Sequence, residues 1–350
     1  MENTSSTSDP SVEPLITKIN CFHLEEEWIA AKEIFLTYLI LIVLNSLTAL
    51  TATIGNTLIL LAVSRTPTLR TPSNTLLCCL AFADLLVGFV VQPTYTLQMV
   101  FEIQRNTPAF CFAKIMTTGS LSWICAGVSF LVISAISVER LLAIKLHLRY
   151  KALITIRRVL TVVVGFWILC TALTTARFLG ASYQSLVIII VAMDVVCIAI
   201  TVYAYLNIYL RVRGLQNNQK QLAPPRMNIS SFKRSAVTVL YIMALFLVCY
   251  IPFLSLLVVR MRQGGTLQLN IIYNFTTAIV YVNSSLNPFI YCFRNKEIRI
   301  AVFKLLGRKY TIDINGDVVP VKKLKNAASA TLIQPLATLQ GLAEVPETQV

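Results

Sequence analysis

The sequence feature that most constrains the fold is a series of seven long apolar runs. They lie at about 35–63, 74–100, 112–144, 156–176, 183–210, 234–259 and 269–292. The hydrocarbon core of a bilayer is about 30 Å thick, and about 20 mostly apolar helical residues cross it. Charged residues make up only 13% of the chain, against roughly a quarter in a soluble domain. We therefore predict an all-α membrane protein, a seven-transmembrane helix bundle.

The basic residues between the runs predict its orientation. Lys and Arg accumulate after the first, third, fifth and seventh runs, and cytoplasmic loops carry such an excess. We therefore expect a plasma membrane protein whose residues 1–33 form an extracellular N-terminal tail. Asn3, which begins an Asn-Thr-Ser sequon, is then a candidate glycosylation site.

The C-terminal part should be cytoplasmic. The transmembrane domain is predicted to span 34–306 and to include an amphipathic helix at 294–306 that lies on the anionic inner leaflet. Residues 307–350 are polar and predicted to be disordered. The chain ends with Thr348, Gln349 and Val350, a pattern that PDZ domains bind and that also arises by chance.

The charge pattern and the polar residues exclude several functions. The net charge is +14, but the basic residues are scattered between apolar runs, so no nucleic-acid partner is expected. No zinc-ligand cluster or Ser/His/Asp set is present, so we do not expect an enzyme. A transporter or channel is the alternative, but it predicts paired repeats or a charged pathway rather than a single mid-membrane acid.

Polar residues inside the spans carry the functional information, because they are costly there. Together with glycine, proline and apolar residues of the same spans, they form an ordered set. In chain order the set is Gly55-Asn56, Asp84, Ser129, Glu139-Arg140, Phe246, Tyr250-Ile251-Pro252, Asn283, Asn287-Pro288 and Tyr291. This ordered set, from about residue 35 to residue 306, resembles the rhodopsin-like family of G-protein-coupled receptors. The resemblance implies a receptor for an extracellular ligand that activates heterotrimeric G proteins, with membrane lipids and arrestin as further partners.

The resemblance also implies a polar cluster that binds sodium inside the bundle. Its members are Asn56, Asp84, Ser129, Asn283 and Asn287. Asp84 is the expected metal ligand, since an ionised acid near mid-membrane costs roughly 3 kcal/mol and needs partners or a cation. The alternative is a protonated carboxyl group that serves packing alone. No cofactor other than Na⁺ is expected.

A second set implied by the resemblance couples the receptor to its G protein. Glu139 should hold Arg140 at rest, and activation frees Arg140 as the inner end of the sixth span moves outward about Pro252. The set is Glu139, Arg140, Tyr205, Phe246, Tyr250, Pro252, Pro288 and Tyr291. The alternative is an interfacial salt bridge that only anchors the helix.

Two departures from the family pattern affect activation. Tyr250 stands where the family usually has tryptophan, and the start of the sixth span has Lys233 and Arg234 but no acid to hold Arg140. We therefore predict elevated basal signalling.

The usual disulfide to the second extracellular loop is also missing, because that loop contains no cysteine. Only Cys21 and Cys111 are expected to face the oxidising exterior, and they either bridge the N-terminal tail to the third span or stay separate. The short unbridged loop resembles that of melanocortin-type, adenosine and lipid receptors, and it should leave the outer cavity open.

The ligand pocket lacks the third-span aspartate with which amine receptors hold their ligands. A peptide, lipid or nucleoside-like ligand is therefore favoured over a biogenic amine. The candidate lining residues are Gln92, Ser122, Trp123, Asp194, Phe253, Tyr273, Thr277 and Tyr281. Asp194 either receives a cationic ligand, pairs with Arg177 or binds a buried hydroxyl.

Overall fold

The computed structural model of the protein describes residues 16–22, 24–29, 31–146, 149–219, 229–308, 310–312 and 318–320. Within this part of the chain, seven long helical spans form one bundle. Spans 1, 4, 5, 6 and 7 are the helices Ala31–Arg65, Ile156–Phe178, Tyr183–Gln219, Ile229–Gln263 and Leu267–Arg294. Span 2 comprises the helices Pro72–Leu86 and Gln92–Ile103, and span 3 comprises Thr107–Met116 and Ser122–Leu146. Short helices at Pro67–Leu69 and Tyr150–Leu153 lie in the connections after spans 1 and 3.

Six of the seven spans in the described part of the chain are long and apolar enough to cross a bilayer. Span 7 has 28 residues, more than the about 20 that a crossing needs, but it is more polar. Its buried side includes Asn270, Asn274, Asn283 and Asn287, whereas Phe289 on another side is mostly exposed. The polar face of span 7 therefore points into the bundle.

The bundle is apolar on its outer surface and polar at its centre. Leu47, Ile188 and Val248 are more than half exposed, whereas Asn56 and Asp84 are almost completely buried. Such a surface is stable in lipid, where a polar side chain needs a partner inside the protein. The predicted all-α transmembrane bundle is confirmed, and the protein is a multi-pass membrane protein.

Spans 2 and 3 are each interrupted by one wide helical turn. These π-helical turns are Val87–Val91 and Thr117–Leu121. The first is explained by Pro93, which has no N–H to donate and whose ring clashes with the carbonyl group of Phe89. One extra residue in a turn rotates the following helix by about 100°, so the second half of span 2 presents different residues to the interior.

Two glycines allow span 1 to approach its neighbours closely. A Cβ atom at Gly88 would lie 2.7 Å from Cβ of Ala52, and one at Gly55 would lie 2.9 Å from Cγ of Pro288. Small residues permit such close contacts between membrane helices. The second contact places Asn56 beside span 7, where it meets the buried polar residues.

A β-hairpin precedes the bundle where the sequence predicted only a tail. Strands β1 (Ile16–Cys21) and β2 (Leu24–Ile29) pair in antiparallel fashion. A disulfide joins Cys21 to Cys111 near the start of span 3, which is the bridge that the sequence left open. We call this end of the bundle the hairpin end and the opposite end, where Arg140 lies, the Arg140 end.

The hairpin also packs against span 3 through side chains. The rings of Trp28 and Phe110 meet edge to face with centroids 5.0 Å apart. Phe110 is fully buried, and Ile19 packs against the same cluster. The hairpin is therefore held by apolar contacts as well as by the disulfide.

An amphipathic helix, Lys296–Leu305, follows span 7 as predicted. Asn295 caps it by accepting hydrogen bonds from the backbone N–H groups of Glu297 and Ile298, at 3.0 and 3.3 Å. Beyond it, β3 (Tyr310–Ile312) pairs with β4 (Val318–Pro320). The predicted disorder is therefore wrong for these two segments, whose β-branched and aromatic residues favour strands. Asn3, Thr348 and Val350 lie outside the described residues.

Candidate ligand cavity and coupling site

The buried polar cluster is centred on Asp84 of span 2. Asn287 of span 7 donates a hydrogen bond from Nδ2 to Asp84 Oδ2 at 2.8 Å. Asn56 of span 1 donates from Nδ2 to the carbonyl oxygens of Ala52 and Ser284, at 2.9 and 3.0 Å. These bonds connect spans 1, 2 and 7, so the predicted cluster is assembled by the bundle.

The cluster has more acceptor oxygens than donors. In the described structure the side-chain oxygens of Asn56, Asn283 and Asn287 are buried without a hydrogen-bond partner. Asp84, Ser129 and Asn283 line one cavity. A carboxylate with amide and hydroxyl oxygens is a donor set that suits a hard cation, so these residues fit Na⁺.

The cavity beside Asp84 has an empty volume of about 750 Å³, which includes space open to solvent. It extends from the polar cluster toward the hairpin end, and seven of the predicted pocket residues line it: Ser122, Trp123, Asp194, Phe253, Tyr273, Thr277 and Tyr281. Ser122 and Tyr281 hydrogen-bond each other through their hydroxyl groups at 2.5 Å, which ties span 3 to span 7 in the cavity wall. We call it the deep cavity.

Gln92 is the predicted pocket residue that the structure places elsewhere. Its side chain is fully buried and donates from Nε2 to Thr48 Oγ1 of span 1 at 2.7 Å. It lines neither of the cavities described here. The prediction was wrong because the wide turn at Val87–Val91 changes which residues of span 2 face the interior.

A second cavity, the vestibule, lies at the hairpin end and has an empty volume of about 1590 Å³, which includes space open to solvent. Leu24 and Glu26 of the hairpin contribute to its wall. Only residues 179–182 connect spans 4 and 5, so part of the wall comes from the N-terminal hairpin. Trp123 and Tyr273 line both cavities, which makes the deep cavity and the vestibule neighbours along one path.

Charged side chains distinguish the vestibule from the deep cavity. Glu26 pairs with Arg177 of span 4 at 2.7 Å and with Lys114 of span 3 at 3.8 Å. Arg260 of span 6 lies over the ring of Tyr273, 4.7 Å from its centroid. The sequence did not identify these contacts, because each joins residues that are distant along the chain.

Two further polar pairs at the hairpin end were also missed by sequence reasoning. Tyr38 donates to Glu102 Oε2 at 2.8 Å, and Tyr95 donates to Asn274 Oδ1 at 2.9 Å. Each pair joins two different spans and each side chain is buried. The only sequence signal was a polar residue within an apolar run, which does not name its partner.

At the Arg140 end, Glu139 is surrounded by three polar partners. Its Oε2 atom lies 3.5 Å from Arg140 Nε. Its Oε1 atom accepts hydrogen bonds from Ser73 at 2.6 Å and from Tyr150. Burial, together with the Glu139 carboxylate, raises the pKa of Tyr150 well above its ordinary value, so the phenol keeps its proton and donates. Ser73 and Tyr150 were not among the predicted site residues.

Aromatic side chains continue from the deep cavity along span 6 toward the Arg140 end. The rings of Phe246 and Tyr250 stack with centroids 4.1 Å apart, and Phe130 of span 3 meets Phe246 edge to face at 4.3 Å. Tyr250 lines the deep cavity, and Pro252 lies in span 6 two residues later. Because Phe246 and Tyr250 both belong to span 6, a movement of span 6 has to rearrange their contacts with Phe130 of span 3.

Three remaining residues of the predicted coupling set lie on spans 5 and 7. The hydroxyl oxygens of Tyr205 and Tyr291 are buried without a hydrogen-bond partner in the described structure. Pro288 packs on Gly55. The structure therefore places polar groups with unused hydrogen-bonding capacity at two spans that flank the path from Asp84 to the Arg140 end.

Comparison with known proteins places this geometry in context. Residues 55–291 match the model of the 7 transmembrane receptor (rhodopsin family). The chain is 27% identical over 254 residues to melanocortin receptor 3 of Rattus norvegicus, covering 70% of this chain and 78% of the relative. It is 26% identical over 302 residues to adenosine receptor A2b of Bos taurus, covering 75% and 88%. Melanocortin receptor 4 of Danio rerio is 27% identical over 285 residues, covering 78% and 83%.

Proposed function

Because the chain belongs to the rhodopsin-like family of G-protein-coupled receptors, we propose that it binds an extracellular ligand in the deep cavity. The N-terminal hairpin then faces the outside of the plasma membrane and the Arg140 end faces the G protein. Members of this family are receptors rather than enzymes. The observation that carries the proposal is the position of Asp84, which lines the deep cavity and bonds Asn287 of span 7.

The coupling mechanism follows from the contacts on each side of Asp84. A ligand in the deep cavity touches Tyr250 of span 6, whose ring stacks on Phe246 of the same span. Both rings pack against Phe130 of span 3. Displacement of these rings favours an outward movement of span 6 about Pro252. Arg140 then leaves Glu139 and binds the G protein, while Glu139 keeps its hydrogen bonds with Ser73 and Tyr150.

The size and lining of the two cavities favour a peptide, nucleoside-like or lipid ligand. Together they extend from the hairpin to mid-bundle, which is more space than a small amine fills. The relatives are named as melanocortin and adenosine receptors. Adenosine is a nucleoside, so the second name supports the nucleoside-like class.

The proposed receptor function is tested by basal signalling. Cells that express the full chain should activate a heterotrimeric G-protein biosensor above the level of mock-transfected cells, because no described acid across the bundle holds Arg140. Arg140→Ala should reduce this signal to the mock level at equal surface expression, whereas Arg149→Ala, at an exposed loop arginine, should not. A wild-type signal at the mock level, or full signalling by Arg140→Ala, would contradict the proposal.

We also propose that Na⁺ binds at the polar cluster through Asp84, Ser129 and Asn283, which fit it as argued above. When bound, the ion balances the carboxylate charge and stabilises the resting bundle. NaCl should raise the unfolding temperature of the purified receptor above that in equal KCl, and Asp84→Asn should abolish the difference. Equal stabilisation of the wild type by both salts would refute this site.

Three cytoplasmic interactions complete the proposal. The amphipathic helix buries Ile298, Ala301 and Val302 against the bundle and presents its basic side chains to anionic lipids. Arrestin is a proposed partner of the same end. A C-terminal peptide should bind PDZ domains through Thr348 and Val350, and undiminished pull-down by a Val350→Ala peptide would refute the PDZ interaction.

A further inference from the structure

The deep cavity has an unusual balance of charge. Two acids, Asp84 and Asp194, line it, and no Lys, Arg or His is among the described residues that line it. The basic side chains at the hairpin end, Lys114, Arg177 and Arg260, line the vestibule instead. Among the described residues, the deep cavity is therefore lined by acidic but not basic side chains, whereas the vestibule is lined by both.

Asp194 of span 5 has a buried oxygen atom, Oδ1, without a hydrogen-bond partner among the described residues. Its side chain is 3% exposed. Arg177, which the sequence offered as its partner, pairs with Glu26 at 2.7 Å. Asp84 differs, because Asn287 donates a hydrogen bond to it.

A buried carboxylate without a partner is costly unless another group supplies positive charge or a proton. Asp194 lies in the wall of the deep cavity. A cation that enters the cavity removes the cost by forming a charge-assisted hydrogen bond with the carboxylate.

The remaining wall also suits a cation. Trp123 and Phe253 lie with ring centroids 5.9 Å apart, and Phe253 and Tyr273 lie 5.7 Å apart. The faces of such rings attract ammonium and guanidinium groups within about 6 Å. The Tyr273 ring already contacts the Arg260 guanidinium in this way.

We propose that the deep cavity binds a cationic group of the ligand, with Asp194 as its counter-ion and the rings of Trp123, Phe253 and Tyr273 as its wall. The group enters from the vestibule past Trp123 and Tyr273, which line both cavities. The polar or anionic remainder of the ligand then lies beside the vestibule bases. The proposal rests on the proposed receptor function and identifies the chemistry of its ligand.

The cation has two possible sources, a free amine or a basic side chain of a peptide. The probes are therefore two matched pairs. The first pair is 3-phenylpropylamine and the neutral 3-phenylpropan-1-ol. The second pair is two tetrapeptides with capped, uncharged ends, one of which contains lysine where the other contains norleucine. Each probe is titrated against purified full-length receptor, and binding is measured as a shift in unfolding temperature.

At least one cationic probe should bind the wild type about ten- to hundred-fold more tightly than its neutral partner. Asp194→Asn should remove that preference, and Asp194→Glu should retain most of it. Selective binding of the lysine peptide identifies a peptide side chain as the source, and selective binding of the amine identifies a small ligand.

Equal binding of the charged and neutral members of both pairs would overturn the proposal, as would the absence of binding by every cationic probe. The comparison of probes on the wild type stands even if Asp194→Asn does not fold. Basal activation of the G-protein biosensor reports the receptor function separately. Selective cation binding without signalling would reject the proposed function alone, and signalling without cation selectivity would reject the cation site alone.

Discussion

The hairpin end and the Arg140 end of the bundle are stabilised in different ways. At the Arg140 end, Glu139 is surrounded by Arg140, Ser73 and Tyr150 within one network of short polar contacts. At the hairpin end, a segment from outside the bundle is held by a disulfide to Cys111. Polar contacts between side chains of the bundle and its loops therefore stabilise the Arg140 end, whereas a covalent bridge to a separate segment stabilises the hairpin end.

This difference has a physical explanation in the length of the loops. The connection between spans 4 and 5 covers residues 179–182, too few to fold over the vestibule and bridge to span 3. The N-terminal hairpin takes that position, with Leu24 and Glu26 in the vestibule wall. The wall of the vestibule is thus completed by an N-terminal segment rather than by the loop between spans 4 and 5.

The largest expected effect is the loss of the disulfide. Cys21→Ser combined with Cys111→Ser should lower the free energy of unfolding by about 2–4 kcal/mol, because the bridge restricts the unfolded chain. Thermal unfolding of the purified receptor measures the change. Cys292→Ser, at a half-buried free cysteine, is the control and should change stability little. An unaltered unfolding temperature in the double variant would show that the hairpin is held without the bridge.

The close contact between spans 1 and 7, which lies between the two ends of the bundle, is tested at Gly55. Gly55→Ala should lower the free energy of unfolding by about 1–3 kcal/mol, because the new Cβ atom would lie 2.9 Å from the Pro288 ring. Gly165→Ala is the matched control, since a Cβ atom there meets nothing within 4 Å. That control should gain about 0.5–1 kcal/mol, because alanine favours a helix over glycine. Equal effects of the two substitutions would contradict the close contact of spans 1 and 7.

The network at the Arg140 end is tested at Tyr150. Tyr150→Phe removes one donor to the Glu139 carboxylate, and a hydrogen bond to a charged group contributes about 1.5–3 kcal/mol. Basal G-protein signalling should change several-fold at equal surface expression, with thermal stability of the hairpin end preserved. Tyr209→Phe, at an exposed tyrosine of span 5, is the control. Unchanged basal signalling in Tyr150→Phe would show that the phenol does not influence Arg140.

The smallest expected effect is at Glu26. Glu26→Gln removes the ion pairs with Arg177 and Lys114, and partly exposed pairs contribute about 0–1 kcal/mol. The unfolding temperature should fall slightly, and less so at high salt, because ions screen the pair. A loss as large as that of the disulfide variant would reverse our ranking of the forces at the hairpin end.

Sequence determined the parts of this protein that depend on local pattern. Apolar runs of bilayer length predicted all seven spans, and the spacing of Asp84, Glu139-Arg140 and Asn287-Pro288 along them indicated the family. The amphipathic pattern after span 7 predicted the helix Lys296–Leu305. These features follow from hydrophobicity and helical periodicity, which a single segment contains in full.

Tertiary structure decided which polar side chains meet. Gln92 points to span 1 because a wide turn rotates its helix, and Tyr150 reaches Glu139 from a loop. Glu26 binds Arg177 across 151 residues of sequence and so leaves Asp194 without that partner. Such choices depend on the relative rotation and approach of whole helices, which no single segment encodes, because each buried polar group bonds whichever neighbour the packing brings to it.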